Sequence, residues 1–377
     1  MSGPLAGLKV LELAGIGASP YACMLLADLG ADVLRLERGD PDAKATTTWD
    51  VLNRSRHSVA LDLKSDAGRE LVLELCEQAD VFVEGFRPGV TERLGLGPDD
   101  VWQRNKRLVY GRMTGYGQEG PLATRAGHDI NYEAISGALW PVGRAGERPV
   151  PALNLVGDFG GGALFLVFGV LAAVFAVQRG GEGQVVDAAM VDGTASMTAM
   201  THALMNAGFW VEERGVNILD TGAHFYEVYE TKDERFVAVG AIESKFYNEL
   251  LLLLGLDGDD LPAQMDRTQW PAMKERFATL FRSKTRDEWT EIFADGDACV
   301  TPVLSPSEAA RHPYNTARHV FTNEEAIQPS PAPRFSKTKA HVSSPPRVAG
   351  SGTREGLMKW GVSDKRLKML RAAGAFG

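Results

Sequence analysis

Residues 8–37, LKVLELAGIGASPYACMLLADLGADVLRLE, decide the fold. Leu8 to Ala14 is a short apolar run of strand length, a Gly-rich turn follows, and Tyr21 to Gly30 reads as a helix that stops at its glycine. Ala31 to Glu37 is the next strand. Two strands joined by a crossover helix run parallel, because the helix carries the chain back to the edge where it started. Outward from this unit the pattern recurs. SDAGRELVLELCEQA is a helix with Ser65 as N-cap, DVFVEG is a strand, and RLVYGRMTG is another before a polar loop. Repeated alternation predicts an α/β fold whose large, Rossmann-like domain is built on an open parallel sheet.

Downstream, an apolar helix is expected from about Ala163 to Ala176 and a further one from roughly Met190 to Gly208. FYEVYETKDERFVAVGA reads as a hairpin turning at Lys232-Asp233, followed by helical ESKFYNELLLLLGL and two more amphipathic helices, which predicts a smaller α+β domain. Residues 329–351 are rich in Pro and Ser without helical periodicity, as in an extended strap, and SDKRLKMLRAAG closes the chain as a helix capped by Ser363 and ended by Gly374. The expected organisation is therefore the N-terminal part of the large domain over 1–189, a linker helix over 190–222, the small domain over 223–319, and the return strap with the C-terminal part of the large domain over 320–377.

The chain has 377 residues and a 44% apolar fraction, enough to fill a real core. The N-terminus lacks the basic start and long apolar run of a signal peptide, and no long uninterrupted apolar run is read as a membrane span, so a cytoplasmic protein without a membrane partner is expected. Cys23, Cys76 and Cys299 are scattered, with no disulfide framework or metal spacing, and read as reduced core thiols. A net charge of -9 argues against nucleic acid as a partner. A small polyanion would need a local cluster of arginines.

Such a cluster is visible. Arg38 ends a strand, Arg54 and Arg56 lie in LNRSRHSVALDLKS, and Arg87 and Arg93 lie in EGFRPGVTERLG. Strand ends are where open α/β sheets bind ligands, and guanidinium forks match phosphate oxygens, although any one of these arginines can equally be a solvated loop charge. The turn Gly15-Ile16-Gly17-Ala18-Ser19-Pro20, with Glu37 at the next strand end, approaches a dinucleotide fingerprint, but Pro20 stands where the third glycine belongs. His128 sits in Gly127-His128-Asp129, where a helix starting near Asp129 would hold the imidazole at its mouth, with Tyr132 one turn on. Asp158 in VGDFGGG reads either as the N-cap of the following helix or as a base beside open backbone amides that could stabilise a developing oxyanion. Glu243 after VAVGAI is a first-turn acid or a partner for His128. Met190, Met197, Met200 and Leu204 share a helical face, read as core or as an adaptable wall for acyl chains.

Four stretches resemble the α-methylacyl-CoA racemases of the family III CoA transferases: LELAGIGASPYACMLLADLGADVLRLER, EGFRPGVTERLGLGP, RMTGYGQEGPLATRAGHDINY and LNLVGDFGGGALFLVFG. The likeness continues through GQVVDAAMVDG and VAVGAIE to the C-terminal strap, with GHD as the mark of the racemase branch. The resemblance implies two bases, His128 and Asp158, with Asp129 and Glu243 supporting the histidine. It implies CoA held around Ile16, Arg38, Arg54, Lys64, Gly85, Phe86, Arg87, Arg93, Gly127 and Tyr132. Phe86 departs from the tyrosine common at that place. The resemblance further implies acyl-CoA as substrate with no resident cofactor, and a homodimer interlocked like linked rings. The competing chemistry is CoA transfer between carboxylic acids, with Asp158 as a nucleophile; a non-catalytic acyl-CoA binder would keep the arginines and need neither base.

Overall fold

The computed structural model describes residues 3–38, 49–322 and 326–376. The rest of the expected ranges 1–189 and 320–377 lies outside the described residues. The chain forms two compact units: Met1–Ser136 with Ala152–Met197 and Val320–Gly377, and Gly137–Pro151 with Thr198–His319.

The first unit is the parallel sheet and its helices. In chain order it runs β1 (Lys9–Leu13), α1 (Ala18–Asp28), β2 (Asp32–Glu37), β3 (His57–Ala60), α2 (Asp66–Cys76), β4 (Val81–Glu84), the short α3 (Val90–Arg93) and α4 (Pro98–Trp102), β5 (Val109–Thr114) and α5 (Asp129–Ser136). A wide π-helical segment (Leu155–Leu164), α6 (Phe165–Gln178), β6 (Val185–Ala189) and α7 (Met190–Met197) follow. The strands lie in the order β3-β2-β1-β4-β5-β6, every pair parallel. Side chains alternate across the sheet, as the strand period requires. Val10, Val33, Val81, Val83 and Val109 meet α1 and α6 on one face. Leu11, Leu13, Leu34, Val59, Phe82 and Tyr110 meet α2 and the C-terminal helices Thr353–Lys359 and Asp364–Ala372 on the other. The chain's end thus completes a layer that its beginning leaves open.

Local signals in the sequence explain most boundaries. Ser65 Oγ accepts the Gly68 N–H at 3.0 Å and Ser363 Oγ the Arg366 N–H at 3.2 Å, as N-caps do. Helix α1 starts three residues before the expected Tyr21, because Pro20 in its first turn forfeits only an N–H that has no partner inside the helix. The largest difference lies at VGDFGGG. The glycines do not delay the helix; they let the chain wind in a wide turn from Leu155, continuous with α6. The run Leu155–Gln178 is thereby long and apolar enough by length and composition to cross a membrane, against the sequence expectation, although 44% of its most apolar window is buried.

In the second unit the expected hairpin is present as β7 (Tyr226–Glu230) and β8 (Phe236–Gly240), antiparallel, and β9 (Val300–Pro302) adds a third strand. Phe225, Trp270, Phe277, Phe281 and Trp289 form its aromatic core. The single helix expected over Met190–Gly208 is two, broken at Thr198, with Ala199–Asn206 in the second unit. Residues 137–151 also cluster with this unit rather than with the sheet. Cys23 and Cys76 are buried, but Cys299 is exposed, so only two of the three thiols are core groups.

Candidate active site

In the strand order 3-2-1-4-5-6 the crossovers reverse direction between β1 and β4, and the loops leaving those two strands part to leave a crevice at the carboxyl edge. A cavity of about 400 Å3 lies there. Ile16 and Ser19 come from the loop and helix start after β1, Gly85, Phe86 and Arg87 from the loop after β4, and Gly115 and Tyr116 from the loop after β5. Gly127, His128, Tyr132, Asp158 and Met190 close it. The glycines are there for space. A Cβ on Gly85 would stand 2.4 Å from Ser19 Oγ, and one on Gly115 would stand 2.1 Å from the Tyr132 ring. Gly17, at φ +69°, brings the first loop against Asp158, whose Oδ2 would lie 3.2 Å from an added Cβ.

Two helix starts meet at the cavity floor. His128 is exposed just outside α5, its N–H donating to Asn131 Oδ1 at 3.0 Å. Asp129 is buried and accepts the backbone N–H of Asp158 through Oδ1 at 2.5 Å. Asp158 therefore is not an N-cap. It lies inside the π-helical segment, half-buried, with its own N–H spent on Asp129 and the next, of Phe159, on Asn154 O at 3.3 Å. Two of the amides expected to be open beside it are thus used internally. Burial pushes the Asp158 carboxyl above the ordinary carboxylate range and the Asp129 charge adds to this, while Asn154 and His128 oppose it. Tyr132 donates to Gly127 O at 2.5 Å and is pushed up to about 12, mainly by burial.

The arginine cluster divides. Arg87 is exposed and lines the cavity. Arg38 and Arg93 are exposed near the same edge, at the ends of β2 and α3, and Lys64 is exposed in the turn after β3. Arg54, expected beside CoA, does not line this cavity. It is buried, paired with Asp28 at 2.5 Å and bonded to Gln328 Oε1 and Pro329 O, each at 2.8 Å. Arg56 is likewise buried against Glu12. Both anchor the sheet edge to the chain's return segment or to β1. Glu243 stands in the second unit, exposed at the N-cap position of the helix Ser244–Leu253, with no side-chain cap bond. Of the methionine face, Met190 reaches the cavity and Met197 lies against Gly160, while Met200 is 62% exposed.

A family model for CoA-transferase family III matches residues 5–351. The chain belongs to this family. It is 45% identical over 372 residues to mouse alpha-methylacyl-CoA racemase, covering 98% of this chain and 96% of that one, and 43% identical over 373 residues to the human racemase, with the same coverage. Human succinyl-CoA:glutarate CoA-transferase is 27% identical, over 93% of this chain and 84% of its own. Among solved structures, a protein of Mycobacterium tuberculosis superposes with a TM-score of 0.78 at 26% identity, over 94% of this chain and 99% of that one. A CaiB/BaiF family protein of Brucella suis shares the fold, with a TM-score of 0.83, 24% identity and coverage of 96% and 100%.

Ser19, Tyr116 and Arg125 beside the cavity, and Glu133 buried behind it on α5, escaped the sequence reading. The first three line the cavity or its rim. Ser19 and Tyr116 gave no separate signal. Arg125 did, standing just before the GHD motif, and so did Glu133, one helical turn after Asp129.

Proposed function

We propose that this family III protein interconverts the epimers of 2-methylacyl-CoA thioesters by moving the proton on the carbon beside the carbonyl. The observation that carries the reading is one cavity lined by both an exposed imidazole, His128, and a half-buried carboxyl, Asp158. Near-full-length identity to two racemases supports the same activity.

The α-proton of a thioester is far less acidic than any side chain, so its removal needs exact placement and an enolate-like intermediate. Racemization then needs one base on each face of the carbon. In this scheme His128 acts on the S face and Asp158 on the R face. For one epimer His128 starts neutral and Asp158 protonated; for the other, both states are reversed. The raised position of Asp158 favours this, since it makes the carboxylic acid form accessible nearer neutrality. Asp129 fixes the Asp158 backbone, and Glu243 is assigned to support His128. The CoA handle is held at the carboxyl edge by Arg87 and Arg125 at the rim, with Arg38, Lys64 and Arg93 toward the nucleotide. No resident cofactor enters this proton transfer, and the working form is an interlocked homodimer.

The test is incubation of a single 2-methylacyl-CoA epimer in deuterium oxide. Uptake of α-deuterium with approach to an equal epimer ratio, without any carboxylate acceptor, is expected. An acyl adduct on Asp158 trapped by hydroxylamine, with acceptor-dependent turnover and no α-exchange, would instead make it a CoA transferase.

A further inference from the structure

Asp129 and Glu133 stand one turn apart on α5, and their side chains are buried, with residue exposures of 5% and 1%. Residues four apart on a helix face one another. Asp129 Oδ1 is occupied by the Asp158 N–H, yet among the described residues Asp129 Oδ2 and both Glu133 carboxyl oxygens meet no donor. The elements packed most extensively on α5 are α7 and the π-helical segment, and the Tyr116 ring of the loop after β5 meets Tyr132 of α5 edge-on. Their sequences, MVDGTASM and LVGDFGGGAL, contain no Lys, Arg or His; their titratable groups are Asp192, which is exposed, and Asp158. His128, at the mouth of α5, acts electrostatically on Asp158. Among the described residues no cation acts on Glu133, and two adjacent buried carboxyls cannot both ionise cheaply.

We propose that Glu133 is a positioning residue that stays protonated at neutral pH and donates its proton to Asp129 Oδ2, so that the pair carries one negative charge and holds Asp129 Oδ1 on the Asp158 backbone. Burial, with Asp129 beside it, pushes Glu133 up to about 8. The shared proton satisfies the orphaned Asp129 oxygen and one Glu133 oxygen. It also spares Asp158 a second neighbouring anion, which would hold its carboxyl protonated and remove it as a base. The kinetic consequence rests on the racemase reading; the proton itself does not.

The experiment pairs infrared spectroscopy with kinetics on the full chain. At neutral pH the wild-type protein should show a protonated-carboxyl stretch that disappears in Glu133→Gln; its absence from the wild type, or its persistence in the variant, overturns the proposal. Glu133→Gln keeps a donor and should retain kcat and its pH profile. Glu133→Leu should lower kcat about tenfold, the size of one lost hydrogen bond, with KM unchanged and the Asp158 limb of the profile displaced. Equal damage in both variants, or none in Glu133→Leu, also overturns it. If Glu133→Leu does not fold, the spectra and the Gln variant still decide. The Glu133 band without α-exchange would keep the shared proton and discard the racemase; α-exchange without the band does the reverse.

Discussion

At the residue scale, identical residue types separate by what surrounds them. Arg54 and Arg87 look alike in sequence, but Arg54 is locked on Asp28, which is 1% exposed, whereas Arg87 is exposed at the cavity. Removing one partner of a buried ion pair leaves the other charge uncompensated. Arg54→Ala should therefore cost about 3–5 kcal/mol of stability, read by denaturant unfolding, while the surviving fold keeps its KM for acyl-CoA. Arg87→Ala should do the opposite, raising KM with little loss of stability. Glu133 gives a second, pH-based expectation. Its folded pKa near 8 exceeds the value of 4.5 for a free side chain, so between them the folded chain binds more protons than the unfolded one. Stability from this group is complete at low pH and is lost as pH rises through about 8. Thermal melts should fall over that window in the wild type and flatten in Glu133→Gln; parallel pH curves for the two proteins would contradict it.

At the element scale, the sheet was legible and the π-helical segment was not. Short β-rich runs, caps at Ser65 and Ser363 and glycines after the first and last helices, Gly30 and Gly374, mark the α/β alternation because each is a local effect. The winding of residues 155–164 is a tertiary effect. A Cβ on Gly161 would stand 2.3 Å from Thr194 Oγ1, and one on Gly193 would stand 1.9 Å from Gly161 O, so these glycines are the surfaces where two helices touch. That contact sets the turn that carries Asp158. The candidate site was correspondingly half legible: His128, Asp158 and Gly85 sit in recognisable motifs, whereas the fates of Arg54 and Glu133 depend on distant or buried partners. Gly193→Ala should cost about 1–3 kcal/mol through overpacking, and should reduce activity by displacing Asp158 while Arg87 holds CoA affinity. A variant with wild-type stability and rate would show that the segment does not need this close approach.

At the scale of the whole molecule, the α6 surface asks what covers it. Leu166, Val170, Ala173, Val174 and Val177 are buried in the core beneath the sheet. Leu164, Phe168 and Phe175 fall on another face by helical spacing and are 50%, 73% and 58% exposed. A membrane span would present lipid-compatible residues all round, but half of this helix is already committed to the sheet and its first turns carry Asp158 at the cavity. The proposed homodimer would cover the remaining stripe, where burying each large apolar side chain contributes about 1.5–3 kcal/mol. The wild-type protein should sediment as a dimer that persists on dilution and should not float with liposomes. Phe168→Asp combined with Phe175→Asp should yield monomer or aggregate, with the far-ultraviolet spectrum of the sheet unit preserved. A stable, active wild-type monomer at low concentration would contradict the interlocked dimer, and wild-type flotation would assign the stripe to lipid.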